Sequence, residues 1–304
     1  MNDFQFHRPG SLAEAFDLLA THGDDARLMA GGTALVLQMK QRLAQPGHVI
    51  SLVGLRGTPG LGSPGLDSIE AAADYHGAMR IGALCTHRQV ETSPLVHRQI
   101  PLLAEAFRQV ATPRIRHVAT IGGGLVHGDP NQDPPPALIS LGASVILTSA
   151  HGQRTLPVDQ LFVDYFETAL RPGEVMTSIL VPPPPPNAGT AYLKFLPRTA
   201  DDYATVSVAV VLTPTSRGNI CQEVRIALGS VGMTPVHATQ AEARLRGQPL
   251  TEENIRACAA TVQDEVDPLD DYRGSASYKR EMAQVFTRRA IRQALAAAGR
   301  AISP

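Results

Sequence analysis

The sequence predicts an α+β chain in three parts, and three features of the residue order predict it. Residues 1–56 run strand, glycine turn, helix, strand. Residues 57–181 mix short strands with capped helices. Five consecutive prolines (182–186) then open a last part, 182–304, in which strand-like runs come first and helices follow. Segregated runs of strand and helix of this kind belong to α+β architectures rather than to a doubly wound parallel sheet. A chain of 304 residues is long enough to give such parts cores of their own.

In the first part Ser11 and Glu14 have the spacing of a capping box, in which the serine oxygen takes an orphan amide while the glutamate reaches back. Leu12, Ala15, Phe16 and Leu19 recur at helical spacing and Gly23 ends the helix. The apolar piece Arg27–Ala30, the pair Gly31–Gly32, a helix over 33–43 and a strand at His48–Leu52 make a βαβ unit, with Pro46–Gly47 as the break. In the second part a Gly/Pro-rich connector (57–65) leads to strands at Ser68–Ala73 and Met79–Ala83. Thr86 and Gln89 repeat the capping box, and Pro101–Val110 reads as a helix. The stretch TIGGGLVHGDPNQDPPPAL (120–138) is poor in helix and strand formers and reads as loop, while Ser144–Thr148 and Gln153–Pro157 flank a hairpin turn. The prolines at 182–186 favour a stiff polyproline II spacer and a domain boundary. Beyond them Ala191–Phe195, Thr205–Leu212 and Ile220–Leu228 are strand-like; Thr239–Arg246, Glu252–Val262 and Ser277–Ala298 are helical. The last helix buries Met282, Phe286, Ala290 and Ile291 and turns Arg288, Arg289 and Arg292 outward.

Composition removes several function classes. With 27 basic and 28 acidic residues there is no electrostatic footprint for nucleic acid or an anionic membrane. The longest apolar run, Val206–Leu212, is too short to span a bilayer. The N-terminus shows no signal-peptide pattern, and Cys85, Cys221 and Cys258 are too far apart for a self-contained iron–sulfur or four-cysteine zinc site, so a cytoplasmic protein is expected. The ten histidines form no metal-ligand motif, and no metal site is expected.

The chemistry must then come from loops. A glycine pair lets successive amides point at one anion, and a helix starting just after it adds its own amides and dipole. Gly31–Gly32 before the helix at Thr33 fits that design, as does Gly122–Gly124, where Thr120 adds a hydroxyl. Two cradles suit a pyrophosphate. Each is also compatible with an ordinary tight turn, since neither is a GxGxxG fingerprint nor a P-loop. Asp133 is either a ribose-binding carboxylate or a turn terminator, and His127 either a base or a loop hydrogen-bond donor. The residues alone describe a candidate nucleotide binder with no visible catalyst.

The segment LMAGGTALVLQMK (28–40) resembles the AGGT…MK segment of the FAD-binding medium subunits of molybdenum hydroxylases, the family of aerobic carbon monoxide dehydrogenase and bacterial xanthine dehydrogenase. TIGGGLVHGDP (120–130), with Asp133 and Pro136, is similar to its second motif, TIGGN…DP…D…PA. RIGALCTH (80–87), KFLPRTADDYATV (194–206), RIALGSVG (225–232) and DDYRGSASYKRE (270–281) continue the match in order. The resemblance implies a two-part FAD-binding domain of the PCMH/vanillyl-alcohol-oxidase type, 1–56 and 57–181, and a flavin-flanking domain, 182–304, with a three-stranded antiparallel sheet and helices. It implies that Ala30, Gly31, Gly32, Thr33 and Ala34, with Thr120, Ile121, Gly122, Gly123 and Gly124, hold the FAD pyrophosphate, and that Leu28, Met29 and Leu35 line the same site. Asp133 would take the ribose, Lys194 approach the cofactor, and Tyr203, in a 198–204 loop beside the isoalloxazine, stand against the flavin ring. Two positions depart from the family pattern: Gly124, where the motif commonly ends in Asn or Ser, and Ala34, where a polar residue often follows GGT. No catalytic residue is implied. The implied role is electron exit, from a large molybdopterin subunit through a small [2Fe–2S] subunit to FAD here and on to NAD⁺, a quinone or another acceptor, in a dimer of heterotrimers. A self-sufficient FAD-dependent oxidoreductase and a cofactor-free scaffold subunit are the alternatives.

Overall fold

Among the described residues, three sheets, of three, five and four strands, with one two-stranded ribbon, make the framework. The computed structural model describes residues 2–57, 65–72, 75, 77–199, 201–216 and 219–302. The interior of the connector read at 57–65, and Ala73 at the end of the strand read after it, lie outside the described residues.

The first sheet comes from β1 (Gln5–His7), β2 (Ala26–Met29) and β3 (His48–Ser51), with α1 (Leu12–His22) and α2 (Thr33–Lys40) between them. Its order is β1-β3-β2 and every pairing is parallel. Ser11 caps α1 through the Glu14 amide (3.1 Å), but the Glu14 carboxylate returns to the Gly10 amide (2.7 Å) instead of that of Ser11, a capping box displaced by one residue. Leu12 and Ala15 of this helix pack with Ile50, Leu52 and Leu55. The helix after the glycine pair is shorter than the sequence pattern. It stops at Lys40 because Arg42 takes a left-handed φ of 62° and the Leu43 amide turns back to the Gln38 carbonyl.

The second part contains β4 (Ile69–Ala71), β5 (Met79–Gly82), α3 (His87–Thr92), α4 (Pro94–Gln99), α5 (Pro101–Arg108), α6 (Pro113–Arg116), α7 (Ile121–His127), α8 (Pro134–Leu141), β6 (Ser144–Ser149), β7 (Gly152–Pro157), β8 (Phe162–Asp164), β9 (Glu167–Thr168) and β10 (Val175–Val181). The antiparallel sheet has the order β4-β5-β10-β6-β7, so β10, which local pattern does not single out, is its centre. Thr86 and Gln89 make the full capping box, and β6 and β7 are the expected hairpin.

The stretch read as loop is a helix, a six-residue turn over 128–133, and then another helix. α7 forms despite its glycines because each first-turn donor has a fixed acceptor. The Ile121 amide donates to the Cys85 carbonyl (3.0 Å), Gly122 to the Ala83 carbonyl (2.9 Å) and Gly123 to the Thr120 hydroxyl (3.1 Å). Gly122 is required there, since a Cβ would lie 2.6 Å from that of Ala83. α8 starts on three prolines, whose missing N–H groups a first helical turn does not need. All eight of its residues are buried, between α5 on one side and the C-terminal sheet on the other.

That sheet is antiparallel, β11 (Gly189–Phe195), β12 (Val206–Pro214), β13 (Cys221–Gly229) and β14 (Val236–His237), in that order. The expected three strands are present, and the two-residue β14 adds a fourth. α9 (Thr239–Leu245), α10 (Glu252–Glu265) and α11 (Ala276–Ala297) cover one face, with Ala290 and Ile291 buried and Met282 and Phe286 packed against the core. Arg288 pairs with Glu252 and Arg289 lies over the Phe286 ring, on the outer side of α11. Cys85, Cys221 and Cys258 are all free and buried. Among the described residues no helix is long and apolar enough to cross a membrane.

β11 reaches α11 only because position 189 has no side chain: a Cβ there would lie 1.8 Å from the Ala294 carbonyl oxygen. Gly189→Ala is therefore expected to lower the free energy of unfolding by about 3 kcal/mol, read from denaturant titration, as an overpacked contact against helix backbone does.

Candidate functional site

The two glycine turns, far apart in sequence, touch. A Cβ on Gly31 would sit 2.2 Å from the Val118 carbonyl oxygen, and one on Gly123 would lie 3.4 Å from the Ala30 Cβ. Gly31 thus lets backbone meet backbone, and the seam between half-buried Ala30–Leu35 and the exposed Gly123 and half-buried Gly124 is the candidate groove, while Thr120, Ile121 and Gly122 are buried.

The turns differ in what they offer. Gly32 is the N-cap of α2, in the left-handed region at φ 76°, and provides no capping side chain. Among the described residues nothing caps the first-turn amides of Thr33, Ala34 and Leu35, so they remain available to an anion, with the helix dipole behind them. The amides of α7 are already engaged within the protein, which departs from the expectation of a second amide cradle. What that turn contributes is shape, through Gly123 and Gly124, while the buried Thr120 hydroxyl oxygen is occupied in accepting from the Gly123 amide. The side-chain NH₂ of Gln132, whose Oε1 borders Gly124, is buried with no partner. Behind the turn His87 Nε2 donates to the Thr120 carbonyl (3.2 Å), and burial pushes its pKa down to about 4, so the ring is neutral.

Asp133 and Lys194 come together. The Lys194 ammonium, almost wholly buried, donates to Asp133 Oδ2 (2.9 Å) and to the Gln109 carbonyl (2.8 Å). Tyr192 donates its hydroxyl to Asp133 Oδ1 (3.0 Å), so both carboxylate oxygens are engaged. Tyr203 lies outside this cluster with its side chain 46% exposed, and its hydroxyl donates to Asp129 Oδ2 (2.8 Å). Burial, and then the Asp129 charge, raise the Tyr203 pKa well above the phenol range and keep it protonated. Asp129 also accepts from the Asn131 amide (2.9 Å), an Asx turn that the Asp-Pro-Asn order signals. Arg273 then joins Asn131 Oδ1 (2.7 Å) to the Ala204 carbonyl (3.1 Å) and to Asp271, tying the 129–133 turn to the end of the 198–204 loop. Tyr192, Asn131, Gln132 and Arg273 are absent from the residues read as site residues. Asn131 and Arg273 lie in matched motifs, while Tyr192 betrays itself only by standing two positions before Lys194 on a strand. His127, at the end of α7, packs its ring on Phe166.

The sequence and the overall fold match known proteins. Residues 2–184 match the family described as the FAD binding domain in molybdopterin dehydrogenase, and 191–294 match the CO dehydrogenase flavoprotein C-terminal domain. The chain belongs to the molybdopterin dehydrogenase FAD-binding family. It is 36% identical over 293 residues to the carbon monoxide dehydrogenase medium chain of Hydrogenophaga pseudoflava, covering 96% of this chain and 97% of that one. It is 35% identical over 290 residues to the nicotine 6-hydroxylase medium subunit of Paenarthrobacter nicotinovorans, covering 95% and 96%. A solved structure of the Hydrogenophaga pseudoflava carbon monoxide dehydrogenase contains a chain that superimposes with a TM-score of 0.90 at 38% identity, over 97% of this chain and 98% of that one. This is an FAD-binding, medium-type subunit of an oxidoreductase of that family. Two relatives named for unlike substrates at nearly equal identity leave the substrate open. The cradle fits a dinucleotide, for it joins uncapped helix amides, a glycine approach surface and an unpartnered buried amide.

In this flavoprotein subunit, burial pushes the Asp133 carboxyl from 3.8 up to about 6, against the pull of Lys194 and Tyr192. Between those two values the folded chain holds a proton that the unfolded chain has released, so the contribution of Asp133 to stability falls as pH rises through that window and is level above it. Asp133→Asn removes this dependence. Unfolding titrations across the same window should show a shallower loss, or a steeper gain, of stability with pH in the variant than in the parent, and parallel curves would refute the assignment.

Proposed function

We propose that this chain is the electron-exit subunit of a three-subunit molybdenum hydroxylase. It takes electrons from the [2Fe–2S] clusters of a small partner subunit, supplied in turn by a large molybdopterin subunit, and delivers them to an external acceptor such as NAD⁺ or a quinone. A cytoplasmic dimer of such heterotrimers is the assembly proposed. The observation that carries the reading is the groove where Gly31 and Val118 touch, with the end of α2 left uncapped beside it. FAD held there supplies the interchange between one-electron and two-electron carriers.

The residues divide that task. The amides of Thr33, Ala34 and Leu35 bind the phosphates, and the Ala30–Gly32 turn allows the close approach. Because these are backbone donors, Ala34 costs the site no phosphate contact. Thr120 caps the facing turn, Gly122 seats it on Ala83, and Gly123 and Gly124 keep its wall flat. Leu28, Met29 and Ile121 form the supporting structure beneath. Asp133 is proposed as a positioning residue rather than a direct ribose ligand, since both its oxygens are engaged and it is only 4% exposed. Through Asp133, Lys194 is held under the site. Tyr203, anchored at its hydroxyl by Asp129, presents an aromatic face suited to stacking against the flavin ring. We propose the division of labour 1–56 and 57–181 for the flavin and 182–304 for the flanking domain.

Gly123→Val tests the reading. Its side chain would start 2.8 Å from the Thr120 hydroxyl oxygen and 3.4 Å from the Ala30 Cβ, filling the groove. The purified assembly should lose its flavin absorbance and its electron delivery to acceptors while keeping molybdenum and iron content. A full flavin complement in that variant would rule out this groove as the binding site.

A further inference from the structure

At the end of β2 away from the flavin groove, three imidazoles converge. His7 ends β1, His22 ends α1 and His48 opens β3, and one ring nitrogen from each lies within 4.8 Å of the others. His7 Nε2 and His48 Nδ1 are 3.0 Å apart, and the His22 ring stacks on His48 with centroids 3.6 Å apart. The three are half-buried, so the group is neither a solvated surface cluster nor a sealed core.

As a purely structural device this is a poor arrangement. Three basic rings share one hydrogen bond, and protonating any of them places positive charge against its neighbours. As a ligand set it is apt. Neutral imidazole is a common zinc ligand, and Zn–N bonds of about 2.0–2.1 Å in a tetrahedron separate the donor atoms by roughly 3.3 Å. The observed spacings bracket that separation, and small rotations about the side-chain bonds, unstacking His22 from His48, bring the three nitrogens onto one ion. The remaining nitrogen of His48 already faces a carboxylate: Nε2 lies 4.0 Å from Asp25 Oδ2, and Asp25 is itself held by the Gly47 amide (2.8 Å). A carboxylate behind the far nitrogen is the arrangement that orients a histidine ligand and raises its basicity.

We propose that His7, His22 and His48 form a three-histidine site for a divalent transition metal, zinc by ligand type, with Asp25 orienting His48 and a fourth position open to water. The ion would fasten the C-terminal end of α1 to β1 and to the central strand β3 of the parallel sheet. It has no part in the electron path.

The test uses the full chain, stripped of metal with a chelator, exposed to zinc chloride and dialysed. One zinc per chain is expected by elemental analysis, together with a raised melting temperature. His22→Gln and His48→Gln should each abolish stoichiometric zinc, Asp25→Asn should weaken binding by about tenfold, and His151→Gln, on the exposed hairpin turn, should leave it intact. Cobalt in place of zinc, added to the flavin-free chain, should give the intense visible bands of a tetrahedral site. Circular dichroism checks folding, and flavin content reads the other site separately. The proposal is overturned if the parent chain retains no zinc, or if His22→Gln and His48→Gln retain as much as the parent.

Discussion

A carboxylate and an ammonium, both almost wholly withdrawn from water, meet where the head of α8 reaches β11, and the joint between the two halves of the chain depends on them. Removing either charge would leave the other buried and uncompensated, a loss of several kcal/mol, whereas an apolar pair of similar volume could be as stable. The worth of Asp133 and Lys194 is therefore in what they position. The second bond of Lys194 runs to the carbonyl of Gln109, just past α5, and Tyr192, two residues earlier on the same face of the strand, holds the other carboxylate oxygen. One buried polar knot thus sets the register of α8 between α5 and the C-terminal sheet, and α8 has no exposed residue by which to shift.

Elements with their own local signals were legible in the sequence. Ser11, Thr86, the turn between β6 and β7 and the amphipathic spacing of α11 each encode their element within a few residues, and each forms near the expected bounds. What escaped depends on distant partners. β10 lies between β5 and β6, and nothing within Val175–Val181 announces that place. α7 contradicts its own composition because acceptors at Ala83 and Cys85 hold the donors of a glycine-rich turn. α8 was hidden by prolines that look like helix breakers yet occupy the one turn where they are harmless.

The site shows the same division. Both glycine motifs are places of close approach, Gly31 against the Val118 carbonyl and Gly122 against Ala83, and neither position tolerates a side chain. Sequence similarity between the turns hid a difference in chemistry, since one exposes amides and the other has already satisfied them. That distinction needs the positions of Ala83, Cys85 and the Thr120 hydroxyl, which no spacing rule contains. Likewise the histidines at 7, 22 and 48 form no motif in the chain and become neighbours only when the parallel sheet sets β1 beside β3.

The three buried thiols have a consequence for a protein that handles electrons. Burial raises Cys85, Cys221 and Cys258 to about 12. At neutral pH they are thiols, and it is the thiolate that attacks peroxides and disulfides. A carrier that discharges to the wrong acceptor can release reactive oxygen at its own surface. This chain presents to such by-products no thiolate of its own, so a stray discharge has no cysteine in this subunit on which to leave a covalent record.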